Sequence, residues 1–289
     1  MLSKTAQILI SGLKIMRIKD HVDFTHPKRS VKALEPNLPS SKYTSSKVLI
    51  QNRNVISLGL IENTSHKHVI YFHGGGYSLE ATNLHFSLIK KLIDHSHAPF
   101  TFVDYPLAPE STVDETLSMA MESYEYLLDK YPLDNFILMG DSAGGGLALA
   151  LALKIRDKKL KQAEKIILLS PWLDLGCNHP KISELASLDT ILDVSSLRKI
   201  GDLYRGSHEE IDPIVSPSNG QFDGLGEIHV FVGTHEIFYY DCIELIDHHL
   251  NEDVKIKTYV YDEMPHDWLL LPIPESKKAI LEVVEIINQ

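Results

Sequence analysis

The sequence predicts an α/β protein with a mostly parallel central sheet and helices on both faces of that sheet. Strand-like and helical segments alternate from residue 47 onward, and glycine-rich turns directly follow two of the strand-like segments. The 289 residues are 44% hydrophobic and 23% charged, as in one large globular domain. Strands that alternate with helices pair in parallel and are buried on both faces.

The first predicted element is an amphipathic helix, because apolar residues near the start of the chain recur at steps of three and four. These apolar residues are Leu2, Ala6, Leu9, Leu13 and Met16. We interpret the helix as packed on the rest of the protein, and a helix lying on a membrane surface is the alternative. Residues 21–46 are polar and rich in Pro, Ser and Lys, which indicates a connecting loop.

The remaining elements follow from hydrophobic periodicity. The predicted strands are 47–50, 55–61, 68–73, 99–105, 135–139, 166–170, 228–232 and 254–260. The predicted helices are 84–95, 116–130, 143–157, 236–250 and 275–287. The first two strands form a hairpin, which adds an antiparallel edge to the sheet. Residues 177–208 give only a helical signal between two core strands, so we interpret them as an inserted lid.

Composition limits the partners and the compartment. The net charge of −11 disfavours nucleic acid and anionic membranes as partners. No apolar stretch approaches the roughly 20 residues of a membrane span, so we expect no stable membrane insertion. Two separated cysteines exclude a disulfide framework, and the N-terminus lacks a signal-peptide cleavage site, so we expect a cytoplasmic protein. The oligomeric state is left open, with a homodimer as one option.

The segment Gly140-Asp141-Ser142-Ala143-Gly144 fits the pattern G-x-S-x-G. It follows an apolar strand and opens a helix, which is the setting in which such a serine becomes an exposed nucleophile on a sharp turn. The flanking glycines are needed because side chains would collide at this turn. The alternative is an ordinary glycine-rich turn that binds a phosphate.

A second glycine-rich segment, His73-Gly74-Gly75-Gly76-Tyr77, follows another strand. Acyl transfer develops negative charge on a carbonyl oxygen, and backbone N–H groups without intervening side chains can stabilise that charge. We therefore predict an oxyanion hole formed by the N–H groups of Gly74, Gly75 and Ala143. We expect His73 to orient this loop. A flexible turn with a structural histidine is the alternative.

The general base must take and return a proton near neutral pH, which favours histidine. Of the 15 histidines, His266 is the candidate, because it is the last in the chain and follows a late strand. The acid should follow the preceding strand, which favours Glu236, with Asp241 as the second choice. The other interpretation of Glu236 is an acid that complements a helix dipole.

Several motifs occur together and in order, from about Val69 to about Leu270. They are HGGGY at 73–77, DYPLAPE at 104–110, GDSAGG at 140–145, SPWLDL at 170–175, VSP at 215–217, GTHE at 233–236 and MPHDW at 264–268. The sequence therefore resembles the hormone-sensitive-lipase-like family of esterases with the α/β-hydrolase fold.

The resemblance implies a helical cap made of residues 1–45 and about 178–208, on a catalytic domain that covers residues 46–289. It implies that Ser142, His266 and an acid form a triad that hydrolyses short-chain acyl esters without a cofactor or metal. The chain departs from the family at the acid, which is usually Asp where this chain has Glu236. It also departs after the APE tripeptide, where Ser111-Thr112-Val113 replaces the usual aromatic or proline residues.

Three other functions are considered. A non-catalytic small-ligand receptor on the same fold is disfavoured, because no triad member is missing. A metal-dependent hydrolase is disfavoured because no HExxH motif occurs, and the pairs His95/His97 and His248/His249 are interpreted as surface residues. An amidase or peptidase that uses the same serine chemistry stays open, because the sequence does not reveal the geometry for protonating the leaving group.

Overall fold

The computed structural model describes residues 2–30, 35–63 and 65–289. Within these ranges eight strands form one sheet in the order β1-β2-β4-β3-β5-β6-β7-β8. The strands are β1 Tyr43–Ile50, β2 Arg53–Leu60, β3 Lys67–Phe72, β4 Phe100–Val103, β5 Asn135–Asp141, β6 Lys165–Leu169, β7 Glu227–His235 and β8 Ile256–Pro265. The pairs β1–β2 and β2–β4 are antiparallel and all other neighbours are parallel. The predicted fold class and its antiparallel edge are confirmed.

Helices cover both faces of the sheet. They are α1 Lys4–Met16, α2 Asn83–Ser96, α3 Val113–Lys130, α4 Ala143–Asp157, α5 Ile182–Ala186, α6 Val194–Tyr204, α7 Tyr239–His248 and α8 Pro274–Asn288. One hydrophobic core contains buried residues of α3, α4, α6 and α7, and a second core on the other face contains those of α1, α2 and α8. None of the described helices is both long and apolar enough to cross a membrane.

The start of the sheet differs from the prediction. The strand β1 begins at Tyr43, so the predicted boundary between residues 45 and 46 falls inside this strand. Tyr43 pairs with Leu60 and its side chain is only 5% exposed, which explains why the strand extends back into a polar segment. The hairpin turn lies at Gln51 and Asn52, which both have positive φ. Met1 and residues 31–34 of the predicted cap segment lie outside the described residues.

The N-terminal helix packs on the end of the chain. Ser3 caps α1 by accepting a hydrogen bond from the N–H of Ala6, and the same hydroxyl donates to Glu275 at the start of α8. Ala6 is fully buried, whereas Ile15 is exposed. The predicted packed helix is therefore present, and it covers the sheet face that holds α2 and α8.

The carboxyl ends of the parallel strands lie at one edge of the sheet, where open α/β sheets form their sites. Between β6 and β7 the chain leaves the sheet and returns 57 residues later, after α5 and α6. Buried residues of both helices belong to the core that contains α3, α4 and α7. The helical insertion therefore packs on the same face of the sheet as α3, α4 and α7.

Candidate active site

Ser142 lies at a sharp turn between β5 and α4. Its backbone has φ 51° and ψ −121°, a conformation that is rare for a residue with a side chain. A Cβ atom at position 140 would lie 2.2 Å from the carbonyl oxygen of Gly144. A Cβ atom at position 144 would lie 2.1 Å from the carbonyl oxygen of Phe72. The sequence pattern around Ser142 is therefore required sterically, because the turn leaves no room for those side chains.

The structure brings His266 to the serine. The Nε2 atom of His266 lies 2.9 Å from Oγ of Ser142, although 124 residues separate them in sequence. His266 follows the end of β8, and its side chain is only 1% exposed. The hydroxyl and the imidazole are therefore within hydrogen-bond distance in a nearly closed site, which is the arrangement that proton transfer requires.

Glu236 binds the other nitrogen of the same imidazole. Its Oε2 atom lies 2.8 Å from Nδ1 of His266. Its Oε1 atom accepts hydrogen bonds from the Ser170 hydroxyl at 2.9 Å and from the Gly233 N–H at 2.6 Å. Both carboxylate oxygens are thus fixed, and Nδ1 of His266 is held as a donor.

Asp241, the second choice for the acid, lies elsewhere. It is in the first turn of α7, and among the described residues it has no ion pair or hydrogen bond with His266. Burial raises its pKa to about 7, and the charges of Asp174 and Glu244 act in the same direction. The geometry therefore places Glu236 rather than Asp241 beside the imidazole.

The electrostatics of the pair favour a positive charge on the imidazole. Burial raises the pKa of Glu236 to about 7, although the hydrogen bonds from His266 and the Gly233 N–H act in the opposite direction. Burial alone would lower the pKa of His266, but the charges and contacts of Asp267 and Glu236 raise it well above its usual value. An imidazolium formed during reaction would therefore be stabilised.

The loop that carries Gly74 and Gly75 is held by His73. The Nδ1–H of His73 donates to the carbonyl oxygen of Gly74 at 2.6 Å, and the Tyr105 hydroxyl donates to the carbonyl oxygen of His73 at 2.6 Å. Burial lowers the pKa of His73 to about 3, so its ring is neutral at neutral pH. Because a trans peptide directs C=O and N–H to opposite sides, this contact turns the Gly75 N–H away from His73.

The three N–H groups predicted to form the oxyanion hole lie close to Ser142 in sequence or in space. Within the part of the chain that the structure describes, the N–H groups of Gly74, Gly75 and Ala143 donate no backbone hydrogen bond. Ala143 is the first residue of α4, whose N-terminal N–H groups carry partial positive charge. Gly74 lies against Ser142, because a Cβ atom added there would be 3.0 Å from Cβ of Ser142.

Aromatic side chains connect the inserted helices to the site. Tyr204 at the end of α6 stacks on Tyr77 of the glycine-rich loop, with ring centroids 3.7 Å apart. Trp172 contacts Tyr77 on one side and Phe238 on the other, and Phe238 meets the His266 ring edge-on. These rings form an unbroken series of contacts from α6 through the glycine-rich loop to His266.

The N-terminal segment covers the glycine-rich loop. A Cβ atom at Gly76 would lie 2.8 Å from the Phe24 ring. Arg29 donates to the carbonyl oxygens of Ser78 and Ala108. Lys19 donates to two carbonyl oxygens of the inserted segment, those of Ala186 and Asp189. The described residues before β1 thus touch both the loop and the insertion.

Sequence reasoning missed a second group of buried polar residues beside Ser142. The His85 ring lies 3.3 Å from Asp141 Oδ2, and the Tyr71 hydroxyl donates to Asp141 Oδ1. Asp267 lies 3.2 Å from His266. Both acids, Asp141 and Asp267, stand inside the motifs that pointed to Ser142 and His266. Their place next to these candidate residues was the available signal.

The histidine pairs considered for a metal lie apart from the serine. His95 and His97 are exposed, as is His248. The prediction that His249 lies at the surface is wrong. Its ring is buried against Phe222, with ring centroids 3.7 Å apart, and contacts Glu252. No group of three or more metal-ligating side chains occurs within residues 2–30, 35–63 and 65–289.

Comparison with known proteins gives a family and an activity. A model of the α/β hydrolase fold family matches residues 69–270. An esterase from Acinetobacter venetianus is 31% identical over 222 residues, which are 75% of this chain and 73% of the esterase. An acetyl-hydrolase from Streptomyces hygroscopicus is 29% identical over 215 residues, which are 73% of this chain and 72% of that protein.

A solved structure shares almost the whole fold. The crystal structure of a hormone-sensitive lipase from a metagenome library superposes with a TM-score of 0.84 and 25% identity. The match covers 98% of this chain and 97% of the other. The similarity thus includes the segments before residue 69 and after residue 270, which the family model leaves out.

Proposed function

Because the chain belongs to the α/β hydrolase-fold family and is a carboxylic ester hydrolase, we propose that Ser142, His266 and Glu236 form its catalytic triad. The observation that carries the proposal is the continuous line of contacts Ser142 Oγ–His266 Nε2 at 2.9 Å and His266 Nδ1–Glu236 Oε2 at 2.8 Å. A hydroxyl, an imidazole and a carboxylate in this order form an activated nucleophile.

In the first half of the reaction, Oγ of Ser142 attacks the carbonyl carbon and its proton moves to Nε2 of His266. The carbonyl oxygen becomes an oxyanion that accepts hydrogen bonds from the N–H groups of Gly74, Gly75 and Ala143. The tetrahedral intermediate then breaks its bond to the alcohol oxygen, which takes the proton from Nε2. Ser142 is left acylated and the alcohol departs.

In the second half, His266 removes a proton from water, and the water oxygen attacks the acyl-enzyme carbonyl. The same donors hold the second oxyanion, and the proton returns from Nε2 to Oγ of Ser142 as the acid leaves. Glu236 keeps Nδ1 protonated and stabilises the imidazolium in both halves. His73 keeps the Gly74 peptide in place and takes no part in proton transfer, because a pKa of about 3 makes its ring too weak a base.

The proposed substrates are short-chain acyl esters. The name of the Streptomyces hygroscopicus relative, an acetyl-hydrolase, supports a small acyl group. We propose that residues 1–45 and about 178–208 act as the cap over this site.

The composition supports a location and a partner class. Cys177 and Cys242 are free and buried thiols, which supports the proposal of a cytoplasmic protein. The net charge of −11 supports the proposal that nucleic acid is not a partner. A homodimer is kept as the oligomeric state to be tested by light scattering.

The test compares Ser142→Ala with wild type on p-nitrophenyl esters of graded acyl length. We expect kcat to fall by about 10⁴-fold or more in the variant, since the covalent step is lost. Wild type is expected to be fastest on the acetate and butyrate and slowest on the decanoate. Ser46→Ala on the exposed edge strand β1 is the matched control and should keep wild-type rates. Equal rates for Ser142→Ala and wild type would overturn the proposal.

A further inference from the structure

The residue after His266 folds back onto it. Asp267 has φ 51° and ψ 31°, a left-handed conformation that Asp and Asn adopt more readily than most residues. Its N–H donates to Oγ of Ser170 at 3.3 Å, and the same hydroxyl donates to Glu236. The turn brings Oδ2 of Asp267 to 3.2 Å from Nε2 of His266, the nitrogen that faces Ser142. A carboxylate therefore lies on each side of the imidazole.

The Asp267 carboxylate is enclosed and has few partners. Its side chain is 17% exposed, and among the described residues its Oδ1 atom has no hydrogen-bond partner. The titratable groups that face this carboxylate or the imidazole come from β3, α2, β5, the α5–α6 connection and the loop after β7. They are Tyr71, His85, Asp141, Asp189 and Glu236.

We infer that Asp267 is a second positioning carboxylate for His266, which stabilises the imidazolium from the Nε2 side while Glu236 does so from the Nδ1 side. The inference rests on the proposed function, because it assigns Asp267 a role through the general base. Asp267 itself is not required to touch the substrate. The role differs from that of Glu236, because Asp267 lies where the proton arrives from Ser142 and leaves toward the alcohol.

The direction in which Asp267 shifts the pKa of His266 follows from the charges. A negative group near an imidazole favours the protonated ring and so raises its pKa. Burial alone would lower the pKa of His266, and the charge and contact of Asp267 are the largest factors that raise it. Burial and the charge of Asp141 raise the pKa of Asp267, while His266 lowers it. His266 is neutral, and so able to act as a base, only above its raised pKa. The activity should therefore rise at a higher pH than it would if His266 had the pKa of an ordinary histidine.

The test is the acid limb of the pH profile of kcat/KM, measured for wild type, Asp267→Asn and Asp262→Asn on p-nitrophenyl acetate. Asn keeps the shape of Asp and its tolerance for the left-handed backbone. We expect the Asp267→Asn limb to move to lower pH by about 1 unit, because a contacting charge is removed. Asp262 is an exposed residue near the end of β8, the strand that precedes His266. Asp262→Asn should move the acid limb by less than about 0.3 unit.

A second measurement needs only the wild-type protein. The downfield Nδ1 proton of His266 can be followed by NMR across a pH titration, and its apparent pKa should lie above the ordinary value of 6.5. A wild-type pKa at or below 6.5, or an unmoved limb in Asp267→Asn, would overturn the inference. If either of these contrary results is found while Ser142→Ala is inactive in the same assays, only the inference about Asp267 fails. If Ser142→Ala is active, the proposed function fails first.

Discussion

Two histidine–carboxylate pairs flank Ser142, and they differ in what they touch. The front pair, His266 and Glu236, has a 2.8 Å contact and reaches the serine hydroxyl. The rear pair, His85 and Asp141, has a 3.3 Å contact and lies behind the glycine-rich loop. Burial and ion pairing are shared by the two pairs. The two members of the front pair follow β7 and β8 and converge on Oγ, whereas Asp141, which ends β5, contacts His85 of α2 instead.

The charge balance of the two pairs also differs. Burial alone would raise the pKa of Asp141, but the charge of His85 brings it below its usual value. Burial raises the pKa of Glu236 to about 7 despite its hydrogen bonds. The Asp141 carboxyl of the rear pair is therefore held in its charged form, whereas burial keeps the pKa of Glu236 in the front pair near neutral pH. We therefore expect the front pair to serve proton transfer and the rear pair to serve stability.

The largest effect should come from the front pair. Glu236→Gln keeps the size of the side chain but loses the charge that holds the imidazolium, so kcat should fall by about 10³- to 10⁴-fold. Asp241→Asn is the matched control, because Asp241 lies five residues on and burial also raises its pKa to about 7. It should lose less than about tenfold, since it does not contact His266. A larger loss in Asp241→Asn would reverse the assignment of the acid.

The rear pair should instead affect stability. His85→Gln leaves Asp141 as a buried carboxylate without its imidazole partner, and removing one member of such a buried pair costs about 3–5 kcal/mol. The double variant His85→Gln/Asp141→Asn removes the uncompensated charge as well. Urea unfolding at pH 7 should therefore show the double variant to be more stable than His85→Gln alone, with a coupling of about 2 kcal/mol.

Additive free energies in this cycle would contradict a paired role for His85 and Asp141. The kcat values of the folded variants further distinguish the role of the front pair from that of the rear pair. We expect less than about a tenfold loss of kcat for His85→Gln, because its ring touches neither the serine nor the substrate. A loss as large as that of Glu236→Gln would mean that the rear pair takes part in the reaction.

The front pair was predictable from the sequence, and the rear pair was not. His266 and Glu236 each follow a strand whose apolar run is plain, so parallel strands bring them to one edge. Their catalytic roles remain predictions until the variants are assayed. His85 lies in the first turn of α2, where its ring accepts a hydrogen bond from the Thr82 N–H. Nothing in the sequence indicates that the other nitrogen faces Asp141.

The sheet was predictable for the same reason, whereas the packing of the cap segments was not. Periodicity shows that one side of α1 is buried, but it does not show which element covers that side. The contact between Ser3 and Glu275 joins residues 272 apart. The burial of His249 was missed because a histidine is most often at the surface, and its stacking on Phe222 depends on a distant loop.

Gly74 lies between Ser142, which the front pair reaches, and Asp141 of the rear pair. Substitution of Gly74 should give the smallest of these effects. A Cβ atom there would lie 2.3 Å from Oδ2 of Asp141 and 3.0 Å from Cβ of Ser142, so Gly74→Ala must displace one of them. If the loop moves, the predicted oxyanion donors move with it, and kcat should fall by about 100-fold with little change in KM. Gly59→Ala is the control, because its Cβ atom would meet Pro99 at an ordinary 3.5 Å. A loss of stability in Gly74→Ala with unchanged kcat would show that Asp141 yields and that the glycine serves the rear pair alone.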